Sequence, residues 1–231
     1  MLKYGLTALV QHPVWCTTSS ALDGPAVYSP IDNVFKYPIM GYDDMRLIVG
    51  VTGASGVIYA IRLLEVMKKL NVETHLILSP AGKENILLET DYDVGYVESL
   101  ATVTYGHMDV AAAISSGSFK TDGMVVAPCS MKTLAGIAHG YEENLLTRAA
   151  LVTLKERRPL ILVPRETPLA IPHLKNMLLA AEAGAVILPA MPGFYHKPKT
   201  VDDIVNHIVG KILDILNIKH DLYPRWAGPR L

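Results

Sequence analysis

Five places along this chain combine a turn with side chains that bind anions or move protons, and each follows an apolar run. The first is Thr52-Gly53-Ala54-Ser55-Gly56. Its glycines permit a tight turn and close backbone approach, Ser55 adds a hydroxyl, and a helix starting there would offer its first amides to a phosphate. Gly53 and Gly56 are only three apart, and Ser79 rather than a ribose-binding acid ends the next apolar run, so this is not the dinucleotide fingerprint. The third place, Pro128-Cys129-Ser130-Met131-Lys132-Thr133, reads equally as a capped helix start or as a set of ligand donors, with Ser130 as the cap. Arg165 and Glu166 form a charged pair leaving a very apolar run, and Tyr195 and His196 place a phenol and an imidazole after the last one.

Arg148 and Lys155 are seven apart on one expected helix, so they share a face two turns apart. Arg157 and Arg158 suit the negative end of its dipole. Arg148 lies inside the apolar stretch LLTRAALV, where a charge implies a buried anion or carboxylate partner. The eight histidines show no metal-ligand spacing, so no metal site is expected.

These residues need a scaffold that brings the ends of apolar runs together. RLIVGVT (46–52), ETHLILS (73–79), GMVVAP (123–128), PLILVP (159–164) and AVILPA (185–190) lack alternation, as strands covered on both faces do. Helical patterns lie over 57–70, 83–89, 131–138, 145–156, 173–183 and 201–216. Strand and helix alternating in this way predict a three-layer α/β fold with a doubly wound parallel sheet, whose ligands sit beyond the carboxyl ends of the strands. Ser55, Ser79, Ser130, Arg165 and Tyr195 all follow expected strand ends. Residues 1–44 lack periodicity and read as an irregular arm, with the domain occupying 45–231.

Half the chain is apolar and the net charge is near -1 without a basic block, which argues against nucleic acid or an anionic membrane as partner. Cys16 and Cys129 are too few for a disulfide framework, so a reducing, cytoplasmic setting is expected. The longest uncharged stretch, 47–61, is shorter than the roughly 20 residues of a membrane span. The first residues, MLKYGLTALVQHPVWC, lack the apolar core and small-residue cleavage site of a signal peptide.

GASG (53–56), LLETD (87–91), ISSGSF (114–119), PCSMKT (128–133), LLTRAA (145–150), LKERRPL (154–160), PRETP (164–168), FYHKP (194–198) and PRW (224–226) together resemble the UbiX family of flavin prenyltransferases. The resemblance covers about residues 45–227. It implies a flavodoxin-like subunit in a homododecamer with active sites at subunit junctions. It also implies transfer of a dimethylallyl group from dimethylallyl monophosphate to N5 and C6 of reduced FMN. The product would serve UbiD-type decarboxylases, in ubiquinone biosynthesis or aromatic acid decarboxylation. Carried over by position, FMN contacts fall on Gly53, Ala54, Ser55, Ser79, Ser130, Met131, Lys132, Thr133 and Arg165. The donor phosphate falls to Tyr195 and Lys211, with Lys155 and Glu166 close by.

That chemistry suits the residue types. Fixed donors such as Lys155, Lys211 and Tyr195 stabilise a leaving phosphate without reorganising, and Glu166 can deliver its proton. Trp226 offers an aromatic face to an allylic cation, and Glu89 and Ser55 are candidates for proton handling near N5 and C6. FMN-dependent cysteine decarboxylases share the expected fold but carry PASANT where this chain has PCSMKT. A non-catalytic carrier of prenylated FMN would need GASG and Arg165 but not Glu89, Lys155 or Glu166, all of which are present.

Overall fold

The computed structural model describes Tyr42 and residues 44–228; Cys16 and nearly all of the expected arm lie outside the described residues. Its elements are β1 (Arg46–Val51), α1 (Ile58–Lys69), β2 (Glu73–Leu78), α2 (Pro80–Glu89), α3 (Val94–Ser99), β3 (Val103–Tyr105), β4 (Gly123–Cys129), α4 (Met131–Ala138), α5 (Leu145–Lys155), β5 (Leu160–Pro164), α6 (Ile171–Glu182), β6 (Val186–Ile187) and α7 (Val201–Ile215). All strand pairings are parallel, in the order β3-β2-β1-β4-β5-β6.

The five strands legible in the sequence form the order β2-β1-β4-β5-β6, which is the flavodoxin order. The three-residue β3 at the edge is too short for any periodicity and converts it into the other common doubly wound order, 3-2-1-4-5-6. The short helix α3 went unread for the same reason. In the last expected strand only Val186 and Ile187 are regular. Leu188 and Ala190 still bond Leu162 and Pro164 of β5. Helix α2 starts three residues early because Pro80 suits the first helical position and the Ser79 hydroxyl caps the Gly82 amide.

Alternate strand residues enter two cores. Leu47, Val49, Val51, Val125 and Ala127 face α1 and α7, while Ile48, Met124 and Val126 face α4 and α5. Burial of both faces explains the unbroken apolar runs. Tyr42 belongs to the first side: its amide donates to Leu70 and its hydroxyl accepts from the Lys219 amide at 3.0 Å.

Candidate active site

Strand order reverses between β1 and β4, and the turns leaving these strands are tied to each other. The Thr52 hydroxyl donates to the Pro128 carbonyl at 2.7 Å and accepts from the Ser130 amide at 2.8 Å. Thr52 is 2% exposed, so both bonds are shielded from water. On the β4 side Ser130 caps α4, accepting from the Thr133 amide and donating to the Thr133 hydroxyl. Met131 is half-buried in the same first turn, and Lys132 projects outward to Glu143 at 3.2 Å. On the β1 side Gly53 presses against α2: a Cβ there would lie 2.5 Å from that of Ala81. Asn85 donates to the Ala54 carbonyl at 3.1 Å, and Ser55 is left exposed at the rim.

The Gly56 and Val57 amides at the start of α1 both donate to Glu89 Oε2, at 2.7 and 3.3 Å. The expectation that this terminus offers those amides to a phosphate is therefore corrected. A carboxylate of the same chain already satisfies them and complements the helix dipole. The Ser79 hydroxyl accepts from the Gly82 amide, a bond that leaves its own O–H to donate. At the end of β5, Arg165 is exposed while its amide reaches Cys129, and Glu166 folds back onto the Thr167 amide. Cys129 lies buried beneath, its thiol pushed up to about 12 by burial.

A second cluster lines α7. Tyr195 packs edge-on to His207 and to Trp226, at ring separations of 5.7 and 5.9 Å. The Tyr195 hydroxyl lies 3.3 Å from His207 Nε2, and the Gly193 amide donates to His207 Nδ1. His196 stacks on His207 at 4.9 Å, and burial, then the charges of His196 and Lys211, hold the His207 imidazole below its ordinary pKa. Lys211 lies 3.7 Å from Asp214. The same carboxylate accepts from Tyr223, Arg225 and His220 at 2.6, 2.7 and 3.1 Å. Burial alone would raise the Asp214 pKa, but these bonds outweigh it and hold it at about 2.

One subunit does not unite all the expected residues. Lys155 ends α5 and precedes β5, whereas Glu166 follows β5. That five-residue strand, at about 3.3 Å per residue, puts about 16 Å between them. Lys155 pairs with Glu156 at 2.7 Å, and α5 and α7 cover opposite faces of the sheet, which separates Lys155 from Lys211. Within a single chain Lys155 therefore stands apart from Tyr195 and Lys211. The expectation for Arg148 is corrected: its partner is a carboxylate, Glu142 at 2.7 Å, but the pair is about one-third exposed rather than buried. Its Nε bonds the Ser115 carbonyl.

The sequence assigns no role to Thr52, Asn85, His207 or Asp214. Asp214 had a signal, three residues after Lys211, while Thr52 could be found only through its partner on another strand. Among the described residues no group of three or more His, Cys, Asp and Glu could hold a metal, and no helix is long and apolar enough to cross a membrane.

A doubly wound sheet with a hydroxyl-bearing and cationic crevice at its switch point is the frame of a flavin-binding protein. The family model described as Flavoprotein matches residues 41–213. The flavin prenyltransferase UbiX of Escherichia coli K12 is 54% identical over 186 residues, which is 79% of this chain and 98% of that one. A dodecameric FMN-dependent UbiX-like decarboxylase from Escherichia coli O157:H7 superposes with a TM-score of 0.77 at 52% identity, covering 80% of this chain and 100% of that one. AnUbiX in complex with FMN and dimethylallyl pyrophosphate gives 0.79 at 46% identity, covering 80% and 99%. A peptidyl-cysteine decarboxylase, at 17% identity and a TM-score of 0.55, shares the fold alone. The chain belongs to the flavoprotein family and, within it, to the UbiX-type flavin prenyltransferases.

Proposed function

We propose that this enzyme moves a dimethylallyl group from dimethylallyl monophosphate onto N5 and then C6 of reduced FMN. The observation that carries the reading is the likeness to UbiX-type flavin prenyltransferases, one of them in complex with FMN and dimethylallyl pyrophosphate. We assign FMN to the crevice beside Gly53, Ala54, Ser55, Ser79, Ser130, Met131, Lys132, Thr133 and Arg165, and the prenyl donor to the corner at Tyr195, Lys211 and Trp226.

The crevice suits a flat phosphorylated ligand: Gly53 and Ser55 are exposed at its rim, and the exposed Arg165 supplies positive charge. When bound, reduced FMN supplies the electron-rich nitrogen and carbon that take the prenyl group. Glu89, pinned by two amides, and the exposed Ser55 hydroxyl take up and return protons beside it. In the second set, Lys211 and Tyr195 stabilise charge on the departing phosphate, and Trp226 covers the allylic carbon. Glu166 hands a proton to that phosphate.

Lys155 and Arg148 join this chemistry from neighbouring subunits of a homododecamer, an assembly like that of the E. coli structure. An apolar stripe on α6 supports association: Ile171, Leu174 and Leu178 are 69, 51 and 59% exposed. We place the enzyme in the cytoplasm and a UbiD-type decarboxylase as recipient of the prenylated flavin. Anaerobic incubation with FMN, dithionite and dimethylallyl monophosphate, then mass analysis of the released flavin, tests the reading. A gain of one C5H8 unit is expected; FMN bound but unmodified overturns it, and a gain only from the diphosphate overturns the choice of donor.

A further inference from the structure

The segment after α7 is held by a device that the proposed reaction does not itself require. Gly210 forms a notch in the helix surface. A Cβ there would lie 2.5 Å from Tyr223 Cε1 and 2.8 Å from His220 Cε1, so only a glycine lets both rings lie against the backbone. One turn on, Asp214 gathers the Tyr223 hydroxyl, Arg225 Nη2 and His220 Nε2, at 2.6, 2.7 and 3.1 Å. Arg225 lies 5.9 Å over the Tyr223 ring, while Ile218, Leu222 and Tyr223 are buried in the α1–α7 core. Trp226 follows Arg225 directly and meets Tyr195. Lys211, on the same helix, faces the same carboxylate at 3.7 Å.

We infer that Asp214 is the positioning residue of the donor corner. Seated beside the Gly210 notch, it fastens the tail that carries Trp226 and holds Lys211 on the tail side of α7. A carboxylate is the group the geometry calls for, because it accepts from a phenol, an imidazole and a guanidinium at once while balancing two cations. Asparagine has the same shape but one acceptor oxygen and no charge, so it cannot hold all of these partners. The inference rests on the proposed function only in assigning Tyr195, Lys211 and Trp226 to the prenyl donor; the fastening itself does not depend on it.

The test uses the full-length protein with Trp15→Phe, leaving Trp226 as its tryptophan, and compares Asp214→Asn, Asp214→Glu and Gly210→Ala. Trypsin cleavage after Arg225 and the Trp226 emission maximum report the tail. KM and kcat for dimethylallyl monophosphate, with the Kd for FMN, report the site. In Asp214→Asn, cleavage should quicken, the emission shift red, and donor KM rise about ten-fold or more while FMN affinity holds, since misplacing such groups weakens their hold on a ligand. Asp214→Glu should recover part of the loss. Gly210→Ala, which favours the helix but fills the notch, should reproduce it with Asp214 intact. Wild-type tail protection in Asp214→Asn, or a loosened tail with unchanged donor KM, overturns the inference. Wild-type protein that makes no adduct sinks the proposed function instead, and tail protection then still decides whether Asp214 fastens the tail.

Discussion

Replacing Thr52 by valine keeps the shape of the side chain and removes both bonds that join the turns after β1 and β4. The Pro128 carbonyl would keep a second donor, the Thr52 amide at 3.3 Å. The Ser130 amide, which donates to Thr52 Oγ1 at 2.8 Å, would lose that acceptor. A donor left unmet in the interior costs about 1–3 kcal/mol, and loss of the hydroxyl bond to Pro128 adds to it. We expect about 2 kcal/mol of destabilisation, or about 4–8 °C in the melting temperature of a chain of this size. Because Ser130 opens α4, FMN affinity should fall in parallel. Urea denaturation at fixed protein concentration and an FMN titration measure the two effects, with Thr52→Ser as the variant that keeps the hydroxyl. Thr52→Val within about 0.5 kcal/mol of wild type, the range of changes at sites without such features, would refute the reasoning. So would a normal FMN affinity at the lowered stability.

Glu89→Gln keeps an oxygen for the Gly56 and Val57 amides, so folding should persist while prenyl transfer drops by about 10²–10⁴, the usual worth of a proton-transfer group. A single-turnover rate near wild type would remove Glu89 from proton handling. His75, His207 and His220 all have pKa values lowered chiefly by burial, so the unfolded chain takes up their protons first as pH falls. The stability they contribute is complete above the unfolded imidazole value of about 6.5 and is lost as pH drops through their lower folded values, so urea midpoints should fall as pH drops below about 6.5. A flat profile there would contradict three imidazoles buried neutral. The lowered Asp214 pKa acts in the same direction at more acid pH, its contribution present above the unfolded carboxylate value and lost toward about 2. A chain beginning at Met45 lacks the Tyr42 bonds to Leu70 and Lys219 and should lose about 1 kcal/mol against one beginning at Tyr42, with assembly retained by gel filtration.

The sequence alone determined the class of fold and five of the six strands of the described sheet, four of which, β1, β2, β4 and β5, are covered on both faces and must be apolar throughout. It also determined which strand ends carry polar side chains, since a serine or an arginine after such a run stands out without knowledge of its neighbours. What it could not carry is pairing across long separations. Thr52 bonds residues 76 and 78 positions away, Gly56 meets a carboxylate 33 away, and the corner at α7 draws on Tyr195, His207 and Trp226. Lys155 and Glu166 are eleven residues apart in the chain, yet they stand at opposite ends of β5. Local patterns register burial, which every residue of an element shares. Partners depend on how distant turns meet at the sheet edge, and only the tertiary structure decides that.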